Sequence, residues 1–165
     1  LVELITNSND SYCRLEAAGS PNDGTILVEV TRKHSASVVR VIDHAEGMSE
    51  EQLEVCLGSY GEETSGFAEG QGVRGQFGRG LKDAILGLGQ GRVLAFSAGH
   101  VLEATLGWES DACIYRLRDL GPATPAQRKK SGVPDSGTVI EITLEQDDVR
   151  MPQMDPLRRN LSRHY

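Results

Sequence analysis

The chain opens with apolar positions at helical spacing. Leu1, Leu4, Ile5, Tyr12 and Leu15 share one side of a helix from Leu1 to about Ala18, which Gly19-Ser20-Pro21 ends. After an Asn22-Asp23-Gly24 turn, the alternating run Ile26–Thr31 and the run Ser37–Ile42 predict a β-hairpin. Ser49 is placed to cap a helix reaching about Leu57, with Gln52 at the capping-box position. From Gly58 to Gly80 glycine and polar residues prevail, and an irregular stretch of that length predicts a functional lid. A helix from Leu81 to about Leu88 precedes three strands, Arg92–Ser97, Val101–Leu106 and Ala112–Arg118. A Pro- and Lys-rich loop at about 121 to 136 leads to a last strand, Thr138–Leu144. Beyond Met151 the pattern predicts a short helical tail, with Asp155 as cap and Pro156 in its first turn.

Strands grouped together rather than alternated with helices predict an α+β fold. The expected architecture is a two-layer sandwich: a mixed, mostly antiparallel sheet with helices on one face. No repeat or linker divides the chain, so residues 1–150 read as one domain and 151–165 as a tail toward a further domain.

Composition narrows the function classes. With 38% apolar and 25% charged residues in 165, a soluble globular domain with its own core is expected. No apolar run approaches the roughly 18–20 residues that cross a bilayer, so no membrane role is expected. A net charge of −7 argues against a domain that grips nucleic acid by itself, which needs Lys and Arg to displace counterions. Arg128-Lys129-Lys130 and Arg158-Arg159 with Arg163 read as solvated surface. Cys13, Cys56 and Cys113, odd in number and far apart, fit neither a disulfide framework nor a zinc site, and point to a reducing cytoplasm. Leu1 lies inside a helical pattern without an initiator Met, so the expectation is a piece of a longer protein that lacks an N-terminal strand or helix, or a start trimmed by disorder.

Four stretches carry candidate chemistry. In Glu3-Leu4-Ile5-Thr6-Asn7-Ser8-Asn9-Asp10, helical spacing puts Glu3, Asn7 and Asp10 in one polar row, Glu3 and Asn7 about 6 Å apart along the axis. A carboxylate and an amide carbonyl on one ridge suit a divalent ion and an attacking water, although such rows are usually solvated faces. In Val41-Ile42-Asp43-His44-Ala45-Glu46-Gly47-Met48, an aspartate leaving an apolar strand can accept from a buried amine such as that of adenine. Gly47 would let the backbone approach a flat ring. Gly75-Gln76-Phe77-Gly78-Arg79-Gly80-Leu81-Lys82 puts glycines before a helix, where free N–H groups and the helix dipole favour phosphate. Lys82, a cation at the wrong end of a helix, makes sense beside an anion. The stretch matches neither the dinucleotide fingerprint nor the P-loop. Ser136-Gly137-Thr138 opens the last strand, where the Thr138 hydroxyl could join Asp43 around a base.

Together, in this order and spacing, these motifs resemble the GHKL superfamily of ATPases, the Bergerat fold of the DNA gyrase B subunit, the ninety-kilodalton heat-shock chaperone, sensor histidine kinases, MutL and MORC proteins. The resemblance runs from Glu3 to about Leu144. It is closest to the chaperone and MORC branches, through the first motif, Leu57-Gly58-Ser59, Gly-Gln-Phe-Gly-Arg-Gly and the Leu-Lys that follows.

The resemblance implies ATP and Mg²⁺ as ligands. Glu3 would be the general base, Asn7 the direct protein ligand of Mg²⁺, and Asp10 a support for the phosphate and ribose side. Asp43 would read the adenine amine, with Gly47, Met48 and Thr138 completing the base site. Gly75, Gln76, Phe77, Gly78, Arg79, Gly80, Leu81 and Lys82 would hold the phosphates under a mobile lid. Sensor histidine kinases typically lack a carboxylate at the position of Glu3, so its presence favours hydrolysis. A non-hydrolysing ATP switch is the other reading. The second motif usually has Gly where Ala45 stands, which implies a shifted backbone, and His44 and Glu46 are unusual there. The γ-phosphate-sensing cation lies in a following domain absent from this chain, so hydrolysis by this fragment is expected to be slow. The larger protein is expected to form a homodimer through absent regions, and any nucleic acid would bind through other domains.

Overall fold

The computed structural model describes residues 1–32, 36–58, 79–110 and 112–144. Its elements are α1 (Val2–Ala17), β1 (Ile26–Thr31), β2 (Ser37–Asp43), α2 (Glu50–Gly58), α3 (Arg79–Leu86), β3 (Gly89–Ser97), β4 (His100–Glu109), β5 (Ala112–Pro122), α4 (Pro125–Ser131) and β6 (Gly137–Leu144). The sheet has six strands in the order β1-β2-β6-β3-β4-β5, and every adjacent pair is antiparallel. This is the expected α+β class. The hairpin β1–β2 and the capping box at α2 form as their local signals predict. Ser49 N–H donates to the Gln52 side chain at 2.8 Å and Gln52 N–H to the Ser49 hydroxyl at 3.2 Å.

Register sorts the side chains into two faces. Val28, Val41, Ile140, Val93 and Ala104 lie side by side across five strands on one face. Against them pack Leu4 and Ile5 of α1, Leu53 and Leu57 of α2, and Leu81 and Ile85 of α3, all buried. Burying one such side chain contributes about 1.5–3 kcal/mol, so this layer is what holds three short helices to the sheet. The alternate residues form the rear face. Arg40 pairs with Glu29 at 2.5 Å and lies 3.4 Å from Glu141, while Glu103 binds both Arg92 and Arg118 at 2.5 Å. Toward one end of this face the charges give way to an apolar group, Ile42, Phe96, Val101 and Val139, which Val133 and α4 cover.

The residues expected as a Pro- and Lys-rich loop therefore contain a helix, and it lies on the face opposite the other three. Its signals are local. Thr124 and Gln127 close a capping box, Pro125 stands in the first turn, and Gly132 ends the helix at φ 80°. Three strands also run three or four residues past their expected ends: β3 begins at Gly89, β4 continues to Glu109, and β5 continues to Pro122. Cross-strand pairing extends each beyond where sequence punctuation would stop it. Of the lid expected from Gly58 to Gly80, residues 59–78 fall outside the described residues, as does the tail from Met151.

β6, the last strand, lies in the middle of the sheet, between β2 and β3. Its entry is tight. Gly137 adopts φ +145°, and a Cβ there would stand 2.1 Å from the carbonyl oxygen of Asp43. Gly137→Ala should therefore lower the free energy of unfolding by about 2–4 kcal/mol in urea melts. Gly99→Ala, at φ +80° with nothing within 4 Å, should cost only about 1–2 kcal/mol. Equal losses at the two positions would contradict this account of the β6 entry.

Candidate functional site

Asp43 ends β2 with its side chain on the helix-covered face, 4% exposed. An ionised carboxylate there needs donors, and it has three. Its Oδ1 accepts the N–H of Ala45 at 3.1 Å and of Thr138 at 3.0 Å, while Oδ2 accepts the Ser8 hydroxyl at 2.8 Å. Burial nevertheless prevails and pushes the Asp43 carboxyl above the usual carboxylate range. The three donors and the charge of the nearby His44 ring pull it the other way.

In front of Asp43 lies a cavity of about 380 Å³, within the usual range for small-molecule sites. α1 contributes Asn7, Ser8, Ser11 and Arg14, and the β2–α2 turn contributes Gly47 and Met48. α2 forms a wall with Glu51, Gln52, Val55 and Cys56, and the start of α3 supplies Gly80 and Leu81. Thr138 and Ile140 of β6 complete the floor. The fold thus brings together seven of the residues singled out in the sequence: Asn7, Asp43, Gly47, Met48, Gly80, Leu81 and Thr138.

Glu3 is exposed and lies just beyond this lining. Its carboxylate rests against the first turn of α3, where a Cβ on Gly80 would stand 2.1 Å from Glu3 Oε1. Asp10 is partly exposed on α1, and Lys82 is 2% exposed; neither lines the cavity. Gly75, Gln76, Phe77 and Gly78 lie outside the described residues, as does the side chain of Arg79, whose backbone opens α3.

The unusual residues of the second motif have structural employment. Ala45 is buried away from the cavity, at an unstrained negative φ, and its carbonyl accepts the Ser136 hydroxyl at 2.6 Å. The His44 ring joins Asp23 Oδ2 and the Gly132 carbonyl, each at 2.9 Å, tying the turn before β1 to the end of α4. That contact, with the Thr25 N–H, holds the Asp23 carboxyl below its usual range. Glu46 pairs with Arg14 at 2.7 Å across the cavity rim. Gly47, at φ +71°, is required by a contact within the fold: a Cβ there would meet the Phe96 carbonyl oxygen at 2.2 Å. The glycine thus admits the backbone of β3, and it also lines the cavity.

Sequence reading missed Ser8, and a signal for it exists. Leu4, Ser8 and Tyr12 are spaced by four on the buried stripe of α1, and a buried hydroxyl in such a stripe needs a partner. Tyr12 supplies the next link: its hydroxyl donates to the Thr25 carbonyl at 2.6 Å and accepts the His44 N–H at 2.8 Å. Burial pushes the Tyr12 phenol up to about 12, so it stays a neutral donor. The cavity wall on α2 has no local signal, because only tertiary packing brings it to Asp43. Burial also pushes the Cys56 thiol up. Ser8→Ala removes one donor to the Asp43 carboxylate. It should cost about 1–3 kcal/mol in urea melts and raise the Asp43 pKa further in a carboxyl NMR titration. An unmoved Asp43 titration would rule out the contact.

A family model described as histidine kinase-, DNA gyrase B-, and HSP90-like ATPase matches residues 1–112. The match spans α1, the hairpin, α2 and α3, which supply every lining element of the cavity except β6. No curated protein matches the chain. The chain belongs to the histidine kinase-, DNA gyrase B- and HSP90-like ATPase family, whose domains bind ATP.

Proposed function

We propose that the cavity in front of Asp43 binds ATP with Mg²⁺, that the domain hydrolyses it, and that the cycle drives lid closure and dimerisation of a larger protein. The observation that carries this reading is the Asp43 carboxylate. Its Oδ1 is occupied by two backbone N–H groups, while Oδ2 has only the Ser8 hydroxyl and keeps acceptor capacity at the cavity floor. The adenine amine suits that acceptor, and Met48, Thr138 and Ile140 supply the flanking surface.

The triphosphate would then extend toward the start of α3, where the helix dipole and free N–H groups favour anions. Residues 75–80 would cradle it. Lys82, buried in the first turn, would act through its charge in a low-dielectric surrounding rather than by direct exposure. Asp10 would support the ribose and phosphate side. Asn7 fits Mg²⁺: it offers a neutral oxygen donor at the cavity, and Mg²⁺ usually takes few protein ligands and completes its shell with water and phosphate. When bound, the ion would neutralise charge on the phosphates.

Glu3, against the first turn of α3, would accept the proton of the attacking water as it adds to the γ-phosphorus. The bond to the β–γ bridging oxygen breaks, and ADP leaves. The γ-phosphate-sensing cation would come from a following domain. The proposed setting is the cytoplasm.

Asp43→Asn tests the base site. The amide can keep the two backbone N–H bonds at its oxygen while presenting an NH₂ to the cavity, so the fold should survive. ATP affinity in calorimetric titrations should fall about 10- to 100-fold; unchanged affinity would refute the site. The pH dependence has a definite sign. The ionised carboxylate is the acceptor, and its pKa in the ligand-free protein is raised. Adenosine affinity should therefore be full at neutral pH and decline on acidification at a higher pH than an ordinary aspartate would give. In Asp43→Asn that decline should be absent. Glu3→Ala in the full-length protein should reduce steady-state ATP turnover by about 10²–10⁴ while leaving ATP binding within a few-fold. Turnover equal to the parent's would remove Glu3 as the base. Binding without turnover in the parent itself would leave the non-hydrolysing switch.

A further inference from the structure

Binding of ATP in front of Asp43 leaves the next residue, His44, without a task, yet His44 is held from four directions. Its N–H donates to the Tyr12 hydroxyl on α1 at 2.8 Å. Its ring meets Asp23 Oδ2, before β1, and the Gly132 carbonyl, after α4, each at 2.9 Å. Both ring partners are acceptors, so the ring makes both contacts only with a proton on each nitrogen. The entry of β6 closes the remaining side, where a Cβ on Gly137 would stand 3.0 Å from the His44 Cα.

These contacts form a closed circuit. The Tyr12 hydroxyl donates to the Thr25 carbonyl at 2.6 Å and lies 3.3 Å from Asp23 Oδ1. Asp23 Oδ1 accepts the Thr25 N–H at 3.0 Å, and its other oxygen returns to the His44 ring. His44 therefore cannot move without breaking a bond to α1, to the turn before β1 or to the end of α4. Its neighbour depends on that. Ser8, Ala45 and Thr138 grip the Asp43 oxygens, but the flanking peptides set the direction in which the side chain leaves the backbone. The Ala45 N–H belongs to the peptide that His44 begins. A shift at His44 would thus displace the carboxylate and one of its donors together.

We propose that His44 is the positioning residue of the base site. Fixed by Tyr12, Asp23 and Gly132, it aims the free acceptor of Asp43 Oδ2 into the cavity, and the preference for a 6-amino over a 6-oxo purine depends on that aim. This rests on the ATP site proposed for the same cavity. A carboxylate accepts from an amine and repels a carbonyl, so discrimination between the two bases measures the direction of Asp43. His44 itself does not line the cavity and acts through its neighbours.

The test is a calorimetric titration of the 165-residue chain with Mg·ATP and, separately, with Mg·inosine triphosphate, which carries a carbonyl in place of the 6-amino group. The triphosphate is common to both, so the ratio of affinities reads the base site. The parent should favour ATP at least about tenfold. His44→Ala should weaken ATP about tenfold and inosine triphosphate less than about twofold, narrowing the ratio about fivefold or more. His44→Gln keeps a donor for one of the two acceptors and should lie between; it keeps the test decidable if His44→Ala does not fold. Tyr12→Phe preserves the ring packing but frees the His44 N–H, and should narrow the ratio as well. A ratio in these variants as wide as the parent's overturns the inference, even if both affinities fall, because a merely structural role lowers the two equally. In that case ATP binding that is lost in Asp43→Asn still upholds the ATP site. A parent that does not bind ATP, or does not prefer it to inosine triphosphate, overturns the site and the role of His44 together.

Discussion

One buried carboxylate organises this domain. Taking an ionised Asp43 out of water costs several kcal/mol unless donors replace the lost hydration. The donors come from three places in the chain: the Ser8 hydroxyl on α1, the Ala45 N–H just after β2, and the Thr138 N–H on β6. Satisfying the carboxylate therefore fixes the first helix, the hairpin and the last strand relative to one another. The same arrangement leaves an acceptor at the cavity floor, so the site and the fold rest on a single set of hydrogen bonds. The approach of Gly137 to the Asp43 carbonyl belongs to this junction, since a side chain there would push β6 away from the carboxylate.

The sheet divides two kinds of chemistry. Its front face carries the apolar rows that receive α1, α2 and α3, and the cavity in front of Asp43 opens where those helices leave the sheet uncovered. The rear face carries a ladder of Glu and Arg side chains and ends under α4. Because strand residues alternate, every β6 position that serves one face is flanked by positions that serve the other. The exposed pairs of the ladder, such as Arg40 with Glu29, contribute little stability singly, about 0–1 kcal/mol, whereas Glu103 is buried between two arginines. Their main effect is to keep a broad sheet face polar except where α4 covers it.

The departures from the family pattern in the second motif are absorbed by the scaffold. Ala45 turns its methyl into the protein, away from the cavity. His44 ties the turn before β1 to the end of α4, and Glu46 anchors Arg14 at the rim. None of the three removes a donor or acceptor from the cavity floor.

Much of this was legible in sequence, for local reasons. Helical spacing marked α1, strict alternation marked β1, and the Ser49–Gln52 box marked the start of α2, because each signal lies within a few residues of chain. The Thr124–Gln127 box of α4 was equally local, but the surrounding Pro and Lys pattern reads as loop. Motif order led to the expectation that Asn7, Asp43, Gly47 and Thr138 lie near one another, and all four line one cavity. What sequence could not supply was anything set by contacts distant in the chain. Examples are the insertion of β6 between β2 and β3, the Ser8 bond to Asp43 across 35 residues, the α2 wall, and the close approach of Gly47 to the β3 backbone. Local periodicity states which face of an element is apolar. Which partner that face meets, and which buried polar atom finds which donor, is decided only when the whole chain packs.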